Sequence, residues 1–360
     1  MSELNESSWS LLAQSYRGQC GQDLCVETSY FGAFAVVGGG GKLICSAGDV
    51  TRMTHLRSTA KPFQLLPFML DHMDERIFDS GQTVDFADIA ILMSSHYGEA
   101  IHTDRVERLL SEAKLSKTDL LCGVHLPFDY ATRKVLLASK KPAEVTHSNC
   151  SGKHTGMLMV CQKNHWPLAS YLEVSHPLQQ KIMQLLLLVA NAEPAQLGVG
   201  IDGCNVPTFI LPLENIALAY AELAHPSQRL SKNPELGQAL EKLFVAGSSH
   251  PEMIGGGNSF DTVLMQALPQ KIFVKSGADG ILTMAIAKSV KYPQGLGVAI
   301  KIADGDFSKK IRPMVAIAIL QKLEILPLEL KELPETLKTW ISCPVRSLNG
   351  QDAGNFSVII

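Results

Sequence analysis

Hydrophobic positions change their period along the chain. From residue 30 it reads YFGAFAVV (30–37), GGGG (38–41) and KLICSAG (42–48). Two β-rich runs separated by a glycine cluster predict a hairpin. In RSTAKPFQLLPFML, which follows, Phe63, Leu66 and Leu70 recur at helical spacing. They predict a helix from near Ser58, with Pro62 tolerated in its first turn. Between about 85 and 245 the helical period dominates, in DRVERLLSEA, GMLMVCQ, PLQQKIMQLLLLVA and LENIALAYAELA. β-Branched runs return at KIFVKSG (271–277) and GLGVAIKIA (295–303), with helices expected at about 279–290 and 308–324 and a last strand in NFSVII. Strands at both ends around a helical middle predict an α/β protein. Its mostly antiparallel sheet comes from both termini and is interrupted by an all-helical lobe. The expected organisation is a single domain over 1–360, with 20–60 and 270–360 in the α/β lobe and 61–269 in the helical one.

Composition excludes several classes. A chain of 360 residues, 46% hydrophobic and 19% charged, can bury a large core. The net charge is −3 and no basic block with interleaved aromatics occurs, so no nucleic-acid partner is expected. The longest apolar run, Ile182 to Ala190, is broken by Gln184 and falls short of the roughly 20 residues that cross a bilayer, so it reads as a buried helix. The polar, acidic start MSELNESSWS is unlike a secretory signal, and the eight scattered cysteines suggest reduced thiols. Together these lead to the expectation of a cytoplasmic protein with no membrane partner.

Two short motifs carry candidate chemistry. Ser58-Thr59-Ala60-Lys61 is S-x-x-K, which puts an amine over a hydroxyl on one helical turn. A lysine desolvated in a cleft can take the serine proton and make the hydroxyl a nucleophile. The bland alternative is a helix cap followed by a solvated lysine. Lys275-Ser276-Gly277 matches the K-[ST]-G box that accompanies S-x-x-K in β-lactamases and penicillin-binding proteins, in the same order along the chain. The resemblance implies their fold; an ordinary edge-strand lysine is the alternative.

HSNCSGKHTGM (147–157) and IDGCNVP (201–207) bring further reactive groups. Cys150 and Lys153 lie three apart, so a helix would point both the same way. Three readings stay open: Cys150 is a nucleophile, Cys150 and Cys204 bind a soft metal, or both are packed thiols. By residue type alone His147 or His154 would be the nitrogen ligand of such a site, since lysine is not a usual zinc ligand.

RSTAKPFQ, SSHYGE (94–99), HSNCSGKHTGM, GIDGCNVP, the FDT of GGGNSFDT (255–262) and KSGADG (275–280) resemble the signature blocks of the L-asparaginase II family of Rhizobium etli type, in order over most of the chain. The resemblance implies hydrolysis of L-asparagine to aspartate and ammonia by a homodimer. Ser58 and Lys61 match its nucleophile and base, and Ser95 and Lys275 a second Ser–Lys pair. Cys150, Lys153 and Cys204 match a zinc site in which lysine does serve as a ligand, so the residue-type preference for histidine gives way. Zinc there positions substrate and is not assigned the activated water. Asp202 matches a substrate-contacting carboxylate, while Arg57, His96, His154 and Gly277 fall inside matching blocks. Each histidine and Arg57 has the alternative of a hydrogen-bonding residue behind the site.

The chain departs from the family pattern at Tyr97, where a small residue is expected, and at Asn258-Ser259, where an arginine-like residue would stand. The nearest rival activity is glutamine or other small-amide hydrolysis, one methylene away. A β-lactamase-like serine acyl-transferase and a non-catalytic zinc-binding or thiol-sensing protein are the others.

Overall fold

The computed structural model describes residues 8–20, 23–72, 83–341 and 344–360. Eight of its strands form one sheet: β1 (Ser10–Cys20), β2 (Asp23–Gly38), β3 (Leu43–Ala47), β7 (Ile272–Ser276), β8 (Ile281–Ile286), β9 (Leu296–Ile302), β10 (Val345–Arg346) and β11 (Asp352–Val358). Their order is β10-β11-β1-β2-β9-β8-β7, with β3 also on β2, and every pairing is antiparallel. The two ends of the chain meet where β2 pairs with β9, Gly32 opposite Ile302 through Gly38 opposite Leu296. This is the α/β layout expected from the sequence, an antiparallel sheet built from both ends of the chain, with the mainly helical segment inserted between β3 and β7. The expected glycine hairpin joins β2 to β3, closed by a hydrogen bond from Gly38 N to Lys42 O at 2.8 Å.

Burial explains where sequence period and structure part. All six residues of β8 are buried, so both faces of that strand are covered. Its sequence ILTMAI therefore lacks the alternation of a half-exposed strand, and the helix expected at 279–290 is corrected to β8 and its flanking turns. The helix expected at 308–324 is present as Ile311–Lys322. The segment at Ser58 is a 3-10 turn, Arg57–Ala60, followed by short α-helices Lys61–Gln64 and Leu66–Asp71. Pro62 and Pro67 each stand in a first turn, where their missing N–H costs nothing.

The inserted segment carries, besides its helices, strands that the hydrophobic period does not resolve. β5 (Gly198–Ile201) and β6 (Pro207–Pro212) join β4 (Met53–His55) in a three-stranded sheet ordered β4-β6-β5. That sheet ties Arg57 and Ser58, just after β4, to the turn of Asp202 and Cys204 between β5 and β6. No helix among the described residues is long and apolar enough to cross a membrane. Cys45, Cys122, Cys150, Cys161 and Cys204 are free thiols, but Cys25 is disulfide-bonded, which corrects the expectation of thiols throughout. Scattered spacing along a chain places no limit on distance in space.

Candidate active site

A cavity of about 520 Å³ opens where the sheet meets the inserted segment. Ser58, Ser95, Lys275 and Gly277 all line it. Ser95 follows the helix Phe86–Leu92, and its backbone N–H is fixed to Ile254 O at 2.9 Å. Lys61 points inward from the first short helix and Lys275 from β7, both fully buried. Their amines converge on one hydroxyl: Lys61 Nζ and Lys275 Nζ each stand 2.9 Å from Ser95 Oγ. Lys61 Nζ also donates to Ser94 O at 2.5 Å and Asn149 O at 3.2 Å, and Lys275 Nζ to Ser276 O at 3.0 Å. Burial lowers the Lys275 amine to about 7, with the Lys61 charge lowering it further against the opposing pull of Asp261. A lysine near 7 exchanges protons at neutral pH. Ser58 Oγ, by contrast, makes no hydrogen bond to Lys61 among the described residues.

Asp261, in the FDT block, was assigned no role from the sequence and proves central. Its carboxylate accepts from Ser276 N at 2.7 Å and Ser276 Oγ at 2.5 Å, which holds the end of β7 and so Lys275. Arg312, too, carries no mark in the sequence. It donates from Nη1 to Gly277 O at 2.5 Å and Ile281 O at 3.0 Å, and from Nε to buried Asp306 at 2.9 Å. A lone arginine in a helical pattern carries no such signal.

Arg57, Asp202, His96 and His154 do not line this cavity. Arg57 takes φ of +49°, as a non-glycine residue rarely does. It is held there by Asp202, 2.9 Å from its Nε, and by Asp279 at its Nη1. Burial raises Asp202 but is outweighed by the Lys153 charge, the Gly203 N–H and Arg57, which keep it ionised. Both histidines are fully buried. His96 Nε2 lies 2.8 Å from Ser151 Oγ, and His154 Nδ1 lies 2.6 Å from Tyr171 Oη. Burial drives each well below the usual histidine value, so both are neutral.

Cys150, Lys153 and Cys204 meet behind the Lys61 amine. Cys150 stands at the N-terminal boundary of the helix Ser151–Lys163, and Lys153 Nζ donates to Cys204 Sγ at 2.9 Å. A hydrogen bond from Cys204 holds the Cys150 thiol well below its ordinary value against burial, with Lys61 and Lys153 assisting. Sharing that proton raises Cys204, as does burial. Lys153 keeps its proton because the two sulfurs outweigh burial. One thiolate, one thiol and one amine in contact are the donor types a soft divalent ion takes once thiol and amine deprotonate, so the set fits Zn²⁺. Among the described residues no group of three or more His, Cys, Asp and Glu side chains could hold a metal, so the nitrogen donor of such a site would be Lys153.

Comparison with known families decides the class of protein. Residues 15–358 match the model of the family described as L-asparaginase II. The chain belongs to the L-asparaginase II family. Membership makes it a hydrolase of small-molecule amides, in accord with a cavity lined by Ser58, Ser95 and Lys275, with the buried Lys61 amine 2.9 Å from Ser95 Oγ. No curated protein sequence matches the chain significantly. Among solved structures it is similar to a Bacillus glutaminase, with 14% identity over 81% of this chain and 91% of that one and a TM-score of 0.37. A probable glutaminase from Bacillus subtilis complexed with 6-diazo-5-oxo-L-norleucine gives 13% identity over 82% and 86%, with a TM-score of 0.37.

Proposed function

We propose that this L-asparaginase II family member hydrolyses the side-chain amide of L-asparagine to aspartate and ammonia. The supporting observation is the Lys61–Ser95–Lys275 bridge in a cavity that Ser58 also lines. In this reading Ser58 Oγ attacks the amide carbon and its proton passes to Lys61. The tetrahedral oxyanion collapses, ammonia leaves with a proton, and water releases aspartate from the ester. Ser95 and Lys275 steady the Lys61 amine and share its proton. Asp202, kept ionised, suits an α-ammonium group. Zn²⁺ held by Cys150, Lys153 and Cys204 would supply positive charge beside the substrate.

A specific observation favours a second assignment of the nucleophile. Ser95, not Ser58, is the hydroxyl in contact with both amines, one of them near 7. The test is ammonia release from L-asparagine and L-glutamine by wild type, Ser58→Ala and Ser95→Ala, with zinc content measured on each sample. The reading expects asparagine-dependent ammonia that falls by at least about a thousandfold in Ser58→Ala, the scale seen when a nucleophile is removed. The same loss in Ser95→Ala with Ser58→Ala active would move the nucleophile to Ser95. No ammonia from asparagine in wild type would overturn the substrate. Stoichiometric zinc that disappears in Cys150→Ser and Cys204→Ser is the result expected of the metal site.

A further inference from the structure

Tyr97 and the glycine segment 255–257 meet at one wall of the cavity. Ser95 and Tyr97 are two apart in a segment without regular secondary structure and both line it. The bond from Ser95 N to Ile254 O draws this stretch alongside residues 255–257, and Tyr97 packs on Gly256. A Cβ at Gly256 would stand 2.3 Å from Tyr97 Cδ2, 2.4 Å from Cγ and 2.7 Å from Cβ. The near end of the tyrosine side chain cannot swing away, so this tyrosine requires glycine at 256. From the other side Phe128 meets the ring edge to face, centroids 5.9 Å apart, and Asp129 N donates to Tyr97 O at 3.0 Å. Asn258 is exposed and Ser259 caps the helix Phe260–Ala267, its Oγ accepting from Thr262 N at 3.2 Å. Neither points an arginine-like group at the cavity.

A clamped ring leaves its hydroxyl with little freedom. The Tyr97 O–H makes no hydrogen bond within the protein among the described residues, yet it lies in the fields of Asp261 and Arg312, which line the same cavity. A half-buried phenol at the cavity wall, without a protein partner among the described residues, is available to donate to a group bound there. We propose that Tyr97 positions the substrate, donating its O–H to the bound amino-acid amide while its ring, fixed by Gly256, limits the side-chain length admitted. Burial raises the phenol to about 12, so it stays a donor across the working range. The choice of asparagine as ligand rests on the reading above; the role of Tyr97 does not need the nucleophile to be Ser58.

Four variants test this: Tyr97→Phe, Tyr97→Ala, Gly256→Ala and the double Gly256→Ala/Tyr97→Ala. Kinetics would be read with asparagine and glutamine, and L-aspartate binding by calorimetry. Tyr97→Phe, which removes only the hydroxyl, is expected to raise KM for asparagine and Kd for aspartate about tenfold with kcat within about twofold. Tyr97→Ala should raise the glutamine-to-asparagine ratio of kcat/KM by about tenfold or more. Gly256→Ala should reproduce the KM rise by pushing the ring, and the double variant should lose nothing beyond Tyr97→Ala alone. Independent addition of the two losses, or unchanged KM and Kd in Tyr97→Phe, would overturn the assignment. If wild type hydrolyses neither amide, the substrate reading falls; weaker aspartate binding by Tyr97→Phe then still upholds Tyr97. Aspartate binding equal in the two, or absent from wild type, sinks it.

Discussion

Among the described residues Lys275 has no carboxylate in hydrogen-bond contact, and its amine faces Ser95 Oγ and a backbone carbonyl inside the protein. With its pKa at about 7, a neutral amine accumulates above that pH and can accept a proton. The expected profile is a rise of kcat/KM through about pH 7, lost in Lys275→Met. Stability carries the same signature with a definite sign. Between about 7 and the ordinary 10.5 the unfolded chain binds a proton that the folded chain does not, so stability rises with pH across that window. Below about 7 both forms are protonated and the folded protein bears the full cost of burying the charge. Tm measured from pH 7 to 9.5 should climb more steeply in wild type than in Lys275→Met; parallel curves would remove the depressed lysine from the account. The motif K-S-G names this residue in the sequence. What lowers its pKa is burial among residues distant along the chain, which no local spacing records.

At the scale of elements, the helix Leu213–Ala224 lies against β9, β2 and β8 and covers the sheet. It passes so close to β9 that a Cβ at Gly297 would stand 1.8 Å from Ala217 O and 2.3 Å from Ala221 N. Gly297→Ala must push the helix off the strand. The expected cost is about 1–3 kcal/mol or more, read as a lower denaturant midpoint with unchanged m. An unchanged midpoint would mean the helix has slack. The hairpin of β2 and β3 and the helix Pro177–Ala190 were legible because glycine turns and helical period are local signals. β8 was not, because a strand covered on both faces and a buried helix demand the same apolar run. β5 and β6 were not, because their pairing with β4 is a contact across the chain.

For the molecule as a whole, Arg312 ties the segment after β7 to the loop before its own helix, both of which line the cavity. It binds the carbonyls of Gly277 and Ile281 and the buried carboxylate of Asp306, which in turn accepts from the backbone N–H groups of Ile311 and Arg312. Arg312→Met would leave that carboxylate buried without its cation, at an expected cost of about 3–5 kcal/mol. Adding Asp306→Asn should recover part of it, because a neutral side chain needs no counter-charge; a double variant as unstable as the sum of the singles would argue that the two act separately.

The chain's blocks, S-x-x-K, SSHYGE, HSNCSGKHTGM and KSG, were sufficient by themselves to indicate the family and the α/β class and to pick out the serines, lysines and thiols of the candidate site. Each is a short-range pattern, and short-range patterns survive in one dimension. Only the tertiary structure brings Ser95 within 2.9 Å of two lysines, seats Asp261 under Ser276, and packs Tyr97 on Gly256. Those three facts are distances between residues far apart along the chain, set by how the sheet and the inserted segment pack. Residue order alone does not encode them.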